Sequence, residues 1–170
     1  VERLWYRMYR GSIYYGRRGV ALQAISAIDI ALWDIAGKLA GLPVYRLLGG
    51  SPRRDLPAYA SLLRYGEPHA VVHYTERALK RGYRQIKLHE ITEAPIKAAR
   101  DVAGADLPIM VDCNCPWTVD EAIAMARTLA PLNLKWLEEP VWPPEDHRGI
   151  ARVQSTGGIA VAAGENAMLP

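Results

Sequence analysis

Cysteine is scarce in this chain of 170 residues: only Cys113 and Cys115 occur, both in one segment. Two neighbouring cysteines do not build the disulfide framework of a small secreted protein. A reducing, cytoplasmic setting is therefore expected. If their segment is a strand, both point away from Asp112 and Asn114, which favours core packing over a thiolate site. Long apolar runs are missing too. No uninterrupted run approaches the ~18–20 residues of a membrane span. The charged start Val1-Glu-Arg-Leu-Trp-Tyr-Arg7 has no signal-peptide pattern, so no membrane partner is expected. Charge of one sign is also lacking. The net value of +3 is too small to argue for nucleic acid. The pairs Arg17-Arg18 and Arg53-Arg54 read as solvated faces rather than phosphate sites. No Gly-x-Gly-x-x-Gly or Walker-type loop follows any candidate strand, which counts against a nucleotide site.

What is present is apolar texture in a repeating order. Half of the residues are apolar, and the length suffices for a domain with a real core. Leu4 to Arg10 reads as a short helix ended by Gly11, and Ser12 to Gly19 as a loop. Ile25, Ile28, Leu32, Ile35 and Leu39 recur at helical steps. Gly41-Leu-Pro43 ends that helix, and Val44 to Leu48 adds one turn. From Leu56 the pattern changes to strand–helix units. Candidate strands are Leu56–Ser61, Tyr83–Leu88, Leu107–Val111, Leu134–Leu137 and Ile159–Ala163. Candidate helices are Glu67–Arg81, Thr92–Val102, Thr118–Ala130 and Glu145–Gln154. Thr118-Val-Asp-Glu121 has the form of a capping box, and Pro95 is tolerable only in a first helical turn. Regular alternation of this kind argues for a parallel α/β sheet. The near-constant spacing, with polar residues after each strand, favours a (β/α)8 barrel. Five strands cannot close an eight-stranded barrel. The chain also begins on Val1 and stops just past its fifth strand, so a fragment or a processed chain is expected.

Three acidic residues, each at the end of an apolar run, carry the chemistry. Asp112 follows Leu107–Val111, Glu138 follows Leu134–Leu137, and Glu165 follows Ile159–Gly164; the intervals are 26 and 27 residues. One strand–helix unit is about that long. In a parallel array the three carboxylates converge at the C-terminal ends of neighbouring strands. Three oxygen ligands are what a hard dication such as Mg²⁺ requires. Asn114 would face the same side as Asp112 and could hydrogen-bond a ligand or substrate. Glu139 should point away from Glu138, as an ion-pair or loop residue. Lys87 and His89 share one face of the second strand, beside the strand of Asp112. Either could serve as a general base. His69, His73 and His147 read as surface residues.

These motifs resemble those of the enolase superfamily, in its mandelate racemase/muconate lactonizing branch. Residues Ala24–Lys38 and Leu42–Gly50 resemble that family's signature helix. Val111-Asp-Cys-Asn114, Trp136-Leu-Glu-Glu-Pro140 and Gly164-Glu-Asn166 resemble its three metal-ligand motifs, in order. The resemblance implies a TIM-type barrel of which about five strand units are present. Residues 1–52 would be the last helices of a capping region with a linker. Residues 53–170 would be the partial barrel carrying the metal site. Asp112, Glu138 and Glu165 would bind one Mg²⁺, with Mn²⁺ able to substitute. The substrate would be a small carboxylic acid, deprotonated at its α-carbon to an enediolate. A Glu as third ligand resembles the mandelate racemase and acid-sugar dehydratase branch.

The second strand departs from the family. Many members carry Lys-x-Lys there, whereas here His89 follows Lys87. The resemblance makes Lys87 and His89 the catalytic pair on this face, with His89 in the place of the base; Asn114, from its position, is expected to contact substrate. It implies dehydration of an aldonate or aldarate, a lyase reaction. The alternative is racemisation or epimerisation of a 2-hydroxy acid or related carboxylate, an isomerase reaction. Another class of reading is a catalytically inactive fragment whose open sheet edges make it aggregate or pair with another chain. The full-length protein is expected to form a homo-oligomer.

Overall fold

The structure, a computed structural model, describes residues 1–16, 19–51 and 55–166. The pairs Arg17-Arg18 and Arg53-Arg54 lie outside the described residues. The chain divides into two compact units, Val1–Leu56 and Pro57–Pro170.

The first unit holds α1 (Glu2–Gly11), α2 (Val20–Ala40) and α3 (Val44–Leu47). Gly41 ends α2 as expected, with φ 64°, a left-handed value that glycine adopts without strain. The amides of Gly41 and Leu42 reach back to the Lys38 and Gly37 carbonyls at 3.3 and 3.0 Å. Of the apolar stripe of α2 only Ile25 is buried; Leu32 is half-buried, and Ile28, Ile35 and Leu39 are exposed. Within this unit α1 and α3 are too short to cover it. Over its most apolar 18-residue stretch α2 has mean hydropathy 1.5, enough by length and composition to cross a membrane. Counting uninterrupted runs misses this, because Asp29, Asp34 and Lys38 break the run. Asp34 and Lys38 pair with each other at 2.5 Å.

The second unit alternates strands and helices. In order they are β1 (Ala60–Ser61), α4 (Pro68–Lys80), β2 (Ile86–Leu88), α5 (Glu93–Ala103), β3 (Ile109–Asp112), α6 (Val119–Leu129), β4 (Trp136–Glu138), α7 (His147–Gly157) and β5 (Val161–Ala162). A short 3-10 turn, Ala130–Leu132, follows α6. The strands form one parallel sheet in the order β1-β2-β3-β4-β5. This is five consecutive units of a partial (β/α) barrel, with β1 and β5 at its two open edges among the described residues. The paired strands are shorter than their apolar runs suggest. Leu56, at the start of the first run, is exposed and unladdered. Apolar character marks where a strand can be buried, whereas the ladder needs a neighbour in register.

Each helix buries a face with helical spacing: Val71, Thr75 and Ala78 on α4; Ala122, Ile123, Ala126 and Leu129 on α6; Gly149, Val153 and Gly157 on α7. The capping box of α6 forms, with Thr118 Oγ1 accepting from the Glu121 amide and Glu121 accepting from the Thr118 amide. The Asp146 carboxylate caps α7 through the Gly149 amide at 2.8 Å. A Cβ at Gly149 would lie 2.5 Å from a Val119 methyl, so only glycine allows this approach. The two sheet faces differ in chemistry. Ile86, Leu88, Ile109, Val111 and Leu137 belong to the core against the helices. The alternate positions Lys87, Met110, Asp112, Trp136 and Glu138 line the other face.

Arg100 locks the N-terminal ends of the strands. It is 8% exposed and donates to the carbonyls of Leu132, Gly104, Ala105, Leu107 and Asn133. Burial lowers its pKa, and the charge of Asp106 partly opposes this. In a barrel this end serves stability rather than chemistry. Replacing Arg100 with Met should therefore cost about 2–4 kcal/mol, since several buried carbonyls lose a charged donor. Urea unfolding should show a lower midpoint with an unchanged slope.

Candidate metal centre

Parallel pairing brings the acidic residues together. Asp112 on β3 is in direct register with Glu138 on β4. On β5, Glu138 pairs with Ala162, so Glu165 lies three residues past register, in the loop. The turn at Gly164, with φ 132°, lets that loop bring Glu165 back. One carboxylate oxygen from each of Asp112, Glu138 and Glu165 lies within 4.8 Å of the others. Asp112 is buried, Glu138 half-buried and Glu165 exposed. All donors are carboxylate oxygens, a set suited to a hard cation such as Mg²⁺.

Lys87 sits among these groups. Its Nζ donates to Asp112 Oδ2 at 3.0 Å and to Glu138 Oε1 at 3.1 Å. It also lies 5.8 Å from the centre of the Tyr59 ring. Burial works against its charge, but hydrogen bonds to Asp112 and Glu138, with their charges, hold its pKa above the ordinary lysine value. Trp136 supports the other side, its Nε1 donating to Glu138 Oε2 at 2.8 Å. Asn114 bends back with φ 57° and donates through Nδ2 to Asp112 Oδ1 at 3.0 Å. It thus lies on the Asp112 side.

His89 follows the end of β2. Its Nδ1 is hydrogen-bonded to the Leu62 carbonyl, which can only accept, so Nδ1 carries the proton. Nε2 then faces Asp112 Oδ2 at 3.4 Å. His69, His73 and His147 are exposed, as expected.

Several residues at this end escape sequence reasoning. Arg64 Nε donates to the His89 carbonyl at 2.6 Å, and its Nη2 to the Cys113 carbonyl at 2.9 Å. Glu90, 1% exposed, accepts from the Tyr65 and Gly66 amides at 2.8 and 3.1 Å. Glu139 follows the end of β4 as a loop residue, one of the two roles expected of it, and no salt bridge to it is seen among the described residues. It is 1% exposed and accepts from the Gly164 amide and the Cys115 thiol at 2.6 and 3.3 Å. Strand alternation fails there because Glu139 has φ 48°. Cys113 is in the core as expected, but Cys115 is not. Burial and the Asp112 charge push the Cys113 thiol up. Burial first, then the bond to Glu139, pushes Cys115 up to about 12. Both remain thiols near neutral pH. One signal could have found the two glutamates: each immediately follows a candidate site residue, His89 or Glu138.

Residues 1–49 match the mandelate racemase/muconate lactonizing enzyme N-terminal domain, and residues 70–169 match the enolase C-terminal domain-like family. The chain belongs to the mandelate racemase/muconate lactonizing enzyme family of the enolase superfamily. It is 40% identical to a 3,6-anhydro-alpha-L-galactonate cycloisomerase from Streptomyces coelicolor, over 98% of this chain and 47% of that protein. It is 39% identical to an arabinonate dehydratase from Saccharolobus solfataricus, over 83% and 40% of the two chains. A racemase from Streptomyces coelicolor A3(2), solved with bound magnesium, superposes with TM-score 0.86 at 39% identity, covering 97% of this chain and 51% of that one. The chain thus spans about half the length of the family members it matches. These relatives are lyases or isomerases. The apolar helix α2 falls inside the matched N-terminal domain.

Lys87 is the one cation bonded to this carboxylate set among the described residues. Lys87→Met should destabilise the metal-free protein by about 3 kcal/mol, because buried Asp112 loses its counter-charge. Millimolar Mg²⁺ should recover much of that loss in a thermal melt. No recovery would mean that the carboxylates do not take up the cation.

Proposed function

We propose that the chain is part of a Mg²⁺-dependent enzyme that removes the α-proton of an acid-sugar carboxylate. The observation that carries this reading is the approach of three carboxylate oxygens within 4.8 Å, with Lys87 Nζ and His89 Nε2 both against Asp112. In this reading residues 1–52 are capping-region helices and linker, and residues 53–170 a partial barrel bearing the site. Asp112, Glu138 and Glu165 hold one Mg²⁺, or Mn²⁺ in its place. The cation, when bound, supplies positive charge where the substrate carboxylate gains negative charge.

The protein residues divide the remaining work. His89 takes the α-proton on Nε2, because its Nδ1 proton is committed to the Leu62 carbonyl. Lys87 cannot accept while its ammonium donates to Asp112 and Glu138, so it serves as a fixed positive charge that orients the substrate carboxylate. Asn114, anchored on Asp112, is the substrate contact. A free-thiol, cytoplasmic setting suits Cys113 and Cys115, and the full-length protein assembles as a homo-oligomer of one small-molecule site per subunit.

Loss of a β-oxygen then decides the product. If the β-hydroxyl leaves, the reaction is dehydration to a 2-keto-3-deoxy acid. A second reading is favoured by the relative that matches 98% of this chain, a cycloisomerase of an anhydro sugar acid. There the ring oxygen is the β-leaving group, so the ring opens and no water is lost. Racemisation needs a second base on the opposite face of the substrate.

Two experiments on the full-length protein test this. His89→Asn should slow exchange of the α-proton in D₂O by about 10²–10⁴-fold; unchanged exchange removes His89 as the base. Mass analysis of products from aldonates and from their 3,6-anhydro forms separates the outcomes. Loss of water identifies a dehydratase, an isomer with an opened ring identifies a cycloisomerase, and inversion alone identifies a racemase.

A further inference from the structure

The candidate ligands are not supported equally. Asp112 and Glu138 end paired strands, and their main chains are held by the ladder. Glu165 is past the end of β5, in a loop with no ladder of its own. A loop carboxylate three residues off register needs something else to bring it to the other two.

Glu139 is built for that task. Its Oε1 accepts from the Gly164 amide at 2.6 Å and from the Asn166 amide at 3.5 Å. These are the residues on either side of Glu165. Its Oε2 accepts from the Cys115 thiol at 3.3 Å, in the loop that follows Asp112. The main chain of Glu139 is held nearby: its carbonyl accepts from the Cys115 amide at 2.6 Å, and its amide donates to the carbonyl of Ala162, the last residue of β5, at 2.9 Å. The residue is 1% exposed and stands at φ 48°, a region that costs a non-glycine residue free energy. A buried carboxylate aimed at main-chain amides gives short, charge-assisted hydrogen bonds. Glutamate has the reach to span both loops, whereas an alternating strand residue would have pointed away.

We propose that Glu139 is a positioning residue that holds Glu165 against Asp112 and Glu138 and thereby sets the affinity of the site for a divalent cation. The inference rests on the reading of the three carboxylates as a metal site. Glu139 itself touches neither cation nor substrate; it acts through the Gly164–Asn166 loop. Second-layer contacts of this kind affect metal affinity by about 10–100-fold.

The test uses Mn²⁺ as the probe, with binding followed by electron paramagnetic resonance on the full chain. Glu139→Gln keeps the shape but loses the charge and one acceptor. It should raise the Kd for Mn²⁺ by about tenfold. Amide exchange at Gly164 and Asn166 should speed up in the same variant, while exchange in the β3 ladder should not. If Glu139→Gln disturbs the fold, seen as faster exchange throughout β3 and β4, Cys115→Ala severs one loop contact alone. That variant should then loosen Mn²⁺ by a smaller factor. If the unaltered chain binds no Mn²⁺, the metal reading itself fails. If it binds, and Glu139→Gln binds within twofold of it, the positioning role is overturned. A weaker Kd with unchanged exchange at Gly164 and Asn166 also overturns it, because the effect would then be of charge and not of position.

Discussion

Parallel register is the constraint on which this molecule depends. A parallel ladder repeats the same face at the same height from strand to strand. Lys87 pairs beside Met110, Met110 beside Trp136, and Asp112 beside Glu138. The face that carries Ile86, Val111 and Leu137 into the helix layer must therefore carry Lys87, Asp112 and Glu138 on its other side. A one-residue slip would exchange the two sets, turning charges into the core and apolar residues into the site. Core and site are thus specified by the same pairing.

That arrangement has an electrostatic cost, and the sequence offsets it. Two carboxylates side by side at the end of a sheet repel, and Asp112 has little water to screen it. Lys87 answers with one ammonium bonded to both. The lysine thus holds together two carboxylates that would otherwise repel. Imidazole Nε2 of His89 lies against the same Asp112 oxygen atom. The candidate base and the lysine ammonium thus share one carboxylate of the candidate metal set.

The parts legible in the sequence were those with a local or periodic signal. The capping box at Thr118, the stop at Gly41-Leu-Pro43 and the alternation of units all form in the described structure. The convergence of Asp112 and Glu138 follows from an interval that equals their register. Glu165 joins them for a different reason. Its interval of 27 looks like one more repeat, yet the register reaches only Ala162, and a glycine turn covers the rest. Residues that act between loops were not legible. Arg64 and Arg100 carry no signal in the sequence, and only the folded chain shows them bonded to carbonyls far along it. The periodic apolar stripe of α2 is largely exposed, since periodicity reports that a face is apolar and not what covers it.

Glu90 and Glu139 share a placement that the register explains. Each is the first residue after a site residue that ends or follows its strand, and each is 1% exposed. Each turns its carboxylate toward main-chain amides of the loop after a neighbouring strand: Tyr65 and Gly66 for Glu90, Gly164 and Asn166 for Glu139. At the C-terminal ends of parallel strands the ladder has stopped, and loop amides there have no strand partner. A carboxylate can accept from several donors at once, which neither a hydroxyl nor an amide side chain does as well. Buried at that point, it replaces the missing ladder and ties adjacent loops together. The positive φ values of Asn114, Cys115 and Glu139 fall at the same junctions, where the chain must leave the strand sharply to meet these groups. Exposure rises from Asp112 through Glu138 to Glu165, the one of the three that lies past the ladder.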